Sequence, residues 1–216
     1  MRSKFDEQLE LLHTEMIRMG ALCEEVIALV STALTEGSRS VAAKIAPLDK
    51  EIDQKERDIE SLCMKLLLRQ QPVASDLRKI SAALKMITDM ERIGDQAEDI
   101  AEIISFLDSR AADHHSLIRE MAKATIKMVT DSVEAYVKQD TALAEKVIGD
   151  DNTVDRYFDN VKAMLIKMIA ENPTDGEYAL DLLMISKYFE RIGDHAVNIA
   201  EWVVFSISGV HKEAGE

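Results

Sequence analysis

Glu91-Arg92-Ile93-Gly94-Asp95-Gln96-Ala97-Glu98-Asp99-Ile100-Ala101-Glu102 returns 99 residues later as Glu190-Arg191-Ile192-Gly193-Asp194-His195-Ala196-Val197-Asn198-Ile199-Ala200-Glu201. Nine of the twelve positions are identical, with no gap. A self-match of that length marks two halves built from one duplicated unit. Successive residues of a helix turn by about 100°. Glu91, Asp95, Glu98 and Glu102 then share one stripe, and Ile93, Ala97, Ile100 and Ile104 cluster roughly opposite. The expected helix buries its Ile/Ala face and turns its carboxylates outward. Such a face is ordinarily just solvated. Here the stripe recurs as Glu190, Asp194 and Glu201, although like charges at i, i+4 disfavour a helix by about 0.2–0.5 kcal/mol.

The whole composition is helical. Leu, Ala, Glu, Lys and Met dominate, while proline (3), glycine (8) and aromatics (5%) are scarce. The 216 residues carry 40 acids against 26 bases, a formal charge of −14. That balance argues against nucleic-acid binding, which a basic surface drives. It suits a cation or a basic partner. Cys23 and Cys63 sit among apolar residues of helical segments and are expected as reduced core thiols. No apolar run follows Arg2 and Lys4, so no signal peptide is expected. No run approaches the roughly eighteen apolar residues of a membrane span. A cytoplasmic protein follows, peripheral to a membrane complex at most.

The seams place six long helices. The first covers about 5–36, with Phe5, Leu9, Leu12, Met16, Met19, Cys23, Val26, Val30 and Ala33 spaced by fours and threes. Gly20 interrupts this helix where a close neighbour would need it, and Gly37-Ser38 ends it and caps the next. The second covers about 40–69 and bends near Pro47. Ile52, Ile59, Leu62 and Leu66 mark its buried side, and Asp49, Asp53, Glu56 and Glu60 the opposite one. Pro72 and Ser75 form a break, and the third helix, about 76–107, carries the first motif. Asp113-His114-His115-Ser116 connects the halves. The fourth helix runs to about Lys138. The fifth, about 141–170, has Gly149 as a candidate break. Asn172-Pro173-Thr174-Asp175-Gly176 is the matching turn. The sixth carries the second motif and ends near Ser208, and the tail from His211 to Glu216 frays. The expected fold is all-α: two tandem antiparallel three-helix bundles, residues 1–109 and 110–216, packed end to end or side by side.

In an antiparallel hairpin, residues equally far from the turn lie level. Counted from Pro72, Asp49 lies level with Asp95 and Asp53 with Glu91. Counted from Asn172-Pro173, Asp151 lies level with Asp194 and Asp155 with Glu190. Four converging carboxylates must protonate, pair with bases such as Arg92 and Arg191, or bind a cation. An all-oxygen set suits hard cations such as Mg²⁺, Ca²⁺, Mn²⁺ or iron. The site is expected to be shallow, because the acids oppose the apolar stripe. A metal-free, arginine-paired acid face is the competing expectation.

These residues carry a resemblance. Asp49-Lys50-Glu51-Ile52-Asp53, Gln71-Pro72-Val73-Ala74 followed by Asp76-Leu77-Arg78, and the two Glu-Arg-Ile-Gly-Asp copies resemble the PhoU family of bacterial phosphate-transport accessory and regulatory proteins. The likeness spans essentially the whole chain. It implies two three-helix bundles bearing multinuclear clusters of divalent or trivalent ions: iron, zinc, magnesium or manganese. The family's acidic motifs fall on Asp49, Asp53, Glu91 and Asp95, and on Asp151, Asp155, Glu190 and Asp194. The second half departs at its turn, where Pro173 is followed by Thr174-Asp175-Gly176-Glu177 without an Asp-Leu-Arg. The resemblance further implies negative regulation of phosphate-starvation signalling. The implied partners are the ATPase subunit of the phosphate ABC transporter and the phosphate sensor histidine kinase; a homodimer is expected.

Two other functions fit the composition, a metal-free helical scaffold and a carboxylate-bridged di-metal enzyme. The enzyme class needs a Glu-x-x-His pair on each of two helices. Here His195 follows Glu190 by five residues and the first copy has Gln96, so a non-enzyme is expected. The His114-His115 pair, His13, His195 and His211 are expected to be structural or solvated.

Overall fold

The computed structural model describes residues 2–69, 72–107 and 116–210. Among the described residues the alternating seams become seven α-helices: α1 (Arg2–Glu36), α2 (Arg39–Ala42), α3 (Ile45–Arg69), α4 (Ala74–Phe106), α5 (Ser116–Lys138), α6 (Thr141–Glu171) and α7 (Gly176–Ser208). No strand occurs among the described residues. None of these helices is long and apolar enough to cross a membrane. The expected boundary between residues 109 and 110, Gln71, the connector histidines and the tail from His211 lie outside the described residues.

Punctuation falls where the turn chemistry requires it. Gly37 takes a left-handed φ of 60° after α1, and the Ser38 side chain accepts from the Val41 amide to cap α2. Asp140 accepts from the Leu143 amide at 3.0 Å and caps α6. Gly209, with φ 74°, closes α7. Two expectations change. The second helix does not bend at Pro47: the chain breaks earlier, between Ala42 and Ile45. Pro47 then lies in the first turn of α3, where its missing N–H costs nothing. Gly149 does not break α6, which is continuous; one glycine costs about 1 kcal/mol, too little to interrupt a helix packed along its length.

Helices α1, α3 and α4 form one bundle and α5, α6 and α7 the other. They lie side by side, with α4 along α7 and α1 along α5. A single apolar core runs through both, from Met16, Ile52 and Met90 to Val154, Leu182 and Phe189. Gly20 makes the close approach its position suggested. A β-carbon there would meet Val133 Cγ1 of α5 at 2.6 Å, well inside contact distance. Cys23 and Cys63 are free and buried. The two motif helices are therefore the inner ones, each touching its own bundle and the other motif helix.

Candidate metal centre

Helix α3 is built on Ile45, Ile52, Ile59 and Leu66, seven residues apart and fully buried. Asp49 lies four residues after Ile45 and three before Ile52. It shares the buried phase occupied further along by Cys63, and it is only 6% exposed. The expectation that Asp49 lies opposite the apolar side, in a shallow site, is thus corrected: the site has a buried floor. Asp53, one turn on, is half-buried.

The partner helix makes room for that floor. A β-carbon on Gly94 of α4 would stand 2.7 Å from Asp49 Oδ1 and 3.2 Å from Ile52 Cδ1. Only glycine lets the aspartate carboxylate nest there without displacement. The next residue, Asp95, then reaches the same space. One carboxylate oxygen from each of Asp49, Asp53 and Asp95 lies within 4.8 Å of the other two. Asp49 Oδ1 is buried with no hydrogen-bond partner, a costly arrangement for a polar atom. Burial pushes the Asp49 carboxyl up to about 7, and Glu98, Asp53, Asp95 and Glu91 add their repulsion. Glu91 is also raised, by burial first and by Asp95 next. At the rim the charges are partly compensated. Arg92 donates to Asp95 at 2.9 Å and stands 3.5 Å from Glu91, and Arg57 stands 3.5 Å from Asp53. None of these reaches Asp49. Oxygens bound to a common hard cation at about 2.0–2.6 Å are at most about 5 Å apart. The Asp49, Asp53 and Asp95 set therefore fits such an ion.

The second quartet is looser. Asp151 is half-buried, and its Oδ1 is buried without a partner. Burial pushes its carboxyl up to about 6, with Asp155, Asp194 and Glu190 contributing. Asp155 and Asp194 are exposed. The nearest neighbours of a β-carbon on Gly193 would lie at 3.6–3.8 Å, an ordinary contact. Among the described residues no second acid trio reaches the spacing of the first. Glu190 is ion-paired with Lys187, whose ammonium also sits 5.5 Å from the centre of the Phe158 ring.

Two supporting residues went unnoticed in the sequence, Gly94 and Lys187. Gly94 lies inside the repeated motif, and its signal was its placement directly before an acid. Lys187 is marked by the duplication itself, since Thr88 stands 99 residues earlier. His195 is structural. It holds Asp89 of α4 at 2.9 Å, and Asn198 donates to the same Asp89 oxygen at 2.9 Å. These contacts tie the two motif helices together.

The sequence profile of one family, the PhoU domain, matches residues 16–104 and again 118–203. The chain belongs to the PhoU family. Among its relatives, a "Phosphate-specific transport system accessory protein PhoU homolog" of Clostridium acetobutylicum is 34% identical over 212 residues, covering 96% of each chain. The Zymomonas mobilis protein of the same name is 36% identical over 95% of this chain and 87% of its own. The crystal structure of PhoU from Pseudomonas aeruginosa superposes with a TM-score of 0.91 at 33% identity, covering 95% of this chain and all of that one. A phosphate transport system regulatory protein PhoU from Streptococcus pneumoniae gives 0.86 at 26% identity, covering 97% of this chain and 99% of its own. Two PhoU domains agree with the duplication read from the repeated motif.

Proposed function

We propose that this protein is a non-enzymatic, metal-binding accessory regulator of phosphate uptake. The observation that carries the metal is the Asp49 carboxylate, which has one buried, unpartnered oxygen and gathers within 4.8 Å of oxygens of Asp53 and Asp95. Its Born cost falls only if the group protonates or a cation pairs with it. The transport role comes from relatives matched across almost the whole chain and named for phosphate-specific transport. In this reading the protein works in the cytoplasm. It contacts the ATPase subunit of the phosphate ABC transporter and the phosphate sensor histidine kinase, and it represses phosphate-starvation signalling when phosphate is plentiful. It acts as a homodimer. Both acid quartets bind divalent or trivalent ions: Asp49, Asp53, Glu91 and Asp95 in one half, Asp151, Asp155, Glu190 and Asp194 in the other.

The arginine pairs at the rim, Arg92 with Asp95 and Arg57 with Asp53, favour a metal-free scaffold as the second reading. One experiment separates the two. Untagged protein is purified without chelator, its metal content is measured, and melting is followed before and after chelation. Bound metal whose removal lowers the melting temperature supports the metal reading. Metal-free protein indifferent to Mg²⁺, Mn²⁺, Zn²⁺ and Fe²⁺ supports the scaffold. Deleting the gene tests the regulatory half: starvation genes are expected to be expressed in high phosphate.

A further inference from the structure

The duplication allows the two sites to be compared position by position. Helices α4 and α7 correspond at an offset of 99 residues. Helices α3 and α6 correspond at 102, the offset that carries Asp49 to Asp151 and Asp53 to Asp155. On this alignment, several first-half polar groups near the quartet are replaced in the second, and one exchange runs the other way: Arg57, 3.5 Å from Asp53, becomes Asp159. Glu56 becomes Phe158, Glu98 becomes Val197 and Thr88 becomes Lys187. The first two of these exchanges remove an acid and the third installs a base, whereas Arg57 to Asp159 removes a base from the rim.

The exchanges act together. In the first half the Thr88 hydroxyl lies 3.3 Å from Glu56, so the space between the helices holds another carboxylate. In the second half the Phe158 ring supports the Lys187 ammonium at 5.5 Å, a cation–π arrangement. The same ammonium is paired with Glu190. The first site has a nine-tenths-buried floor in Asp49, seated in the notch of Gly94, and three ligand oxygens within 4.8 Å. The second has exposed Asp155 and Asp194.

We propose that the two sites are unequal by construction: the α3/α4 site, whose Arg57 and Arg92 stay at the rim and leave the Asp49 floor unpaired, takes a divalent cation tightly, whereas in the α6/α7 site Lys187, held by the Phe158 ring, serves as a tethered cation that an incoming metal ion must displace. The second site then fills only at higher metal concentration, and Lys187 sets that threshold. This rests on the metal-binding reading of the quartets.

Binding of Mn²⁺ to the full chain, followed by the electron paramagnetic resonance signal of the free ion, tests it. Two affinity classes are expected. Asp95→Asn should remove the tighter class and Asp194→Asn the weaker. Lys187→Thr, which copies the first half, should tighten the weaker class by about tenfold and leave the tighter class unmoved. Lys187→Gln serves as the independent variant, and circular dichroism checks that each protein is folded. Thr88→Lys should weaken the tighter class. A single class of equivalent sites overturns the proposal. So does loss of the tighter class in Asp194→Asn, or a weaker class that both Lys187 variants leave unchanged. If the wild-type protein binds no Mn²⁺ at all, the metal reading itself fails, and this proposal with it.

Discussion

Asp49 and Gly94 share one small volume. The Asp49 Oδ1 lies 2.7 Å from the point where a β-carbon on Gly94 would stand. The carboxylate enters the interface between α3 and α4 because its neighbour has no side chain, and Asp95, one residue on, meets it there.

That relationship makes alanine informative at both motif glycines. Gly94→Ala should drive the Asp49 carboxylate out of its notch and lower metal content in the first half. Gly193→Ala meets its nearest neighbour at 3.6 Å, so it should fit and stabilise α7 by about 1 kcal/mol. Metal analysis and denaturant unfolding of the two variants check the contrast. Equal metal content in wild type and Gly94→Ala would remove the role assigned to the glycine.

Removing the buried charge should uncouple stability from metal. Asp49→Asn keeps the shape, and its amide can donate to Asp53 or Asp95. In chelator at pH 7 or above, where the wild-type carboxyl is charged, the variant should be more stable than wild type by about 1–3 kcal/mol, because it removes a buried charge repelled by its neighbours. With Mn²⁺ present it should gain less than wild type. Denaturant titrations with and without metal provide the test. A variant less stable than wild type in chelator would mean that Asp49 has a favourable partner.

The pH dependence of the metal-free protein has a defined sign. The Asp49 carboxyl is raised from 3.8 to about 7, chiefly by burial, and Asp151 from 3.8 to about 6 for the same reason. A raised acid binds its proton more tightly in the folded state. Its stabilising contribution is full below the unfolded value and is lost as pH rises through the folded one. Metal-free protein should therefore lose stability between about pH 4 and pH 7. Asp49→Asn should flatten the part of that loss nearest pH 7. Metal should oppose the loss, since cations prefer deprotonated ligands. Melting curves in chelator across this range, for wild type and Asp49→Asn, measure it.

The interface between the halves depends on Asp89. It accepts from Asn198 and meets His195 Nδ1, each at 2.9 Å. Asp89→Ala leaves both groups without that acceptor and should destabilise the protein by about 1–2 kcal/mol. A double-mutant cycle with Asn198→Ala should return a coupling of at least about 0.5 kcal/mol. Additive effects would show that the contact does not join the halves energetically.

Much of this was legible in the sequence because periodicity is a strong signal for long helices. The repeated Glu-Arg-Ile-Gly-Asp revealed the duplication, and the seams of Phe5 to Ala33 and Ile52 to Leu66 gave the helices. Counting from Pro72 set Asp49 level with Asp95, and the two lie in one cluster with Asp53, whereas Glu91, set level with Asp53, is outside that trio. The depth of Asp49 was missed because an aspartate in a seam phase resembles one beside it until Ile45 is counted as the start of the seam. The break before Pro47 was missed because four residues, Arg39–Ala42, are too few to show a period. The side-by-side packing rests on Gly20 against Val133 and on Asp89 against His195, contacts between positions more than a hundred residues apart that no local pattern encodes.

In the proposed function, Asp49, Asp53 and Asp95 hold a hard cation between α3 and α4. Its most direct test is an anomalous-scattering map from crystals of the full chain grown in Mn²⁺. A peak bonded to carboxylate oxygens of all three residues is expected, at the roughly 2.0–2.6 Å of oxygen ligands. A map with no peak between α3 and α4, at saturating Mn²⁺ and neutral pH, would contradict it.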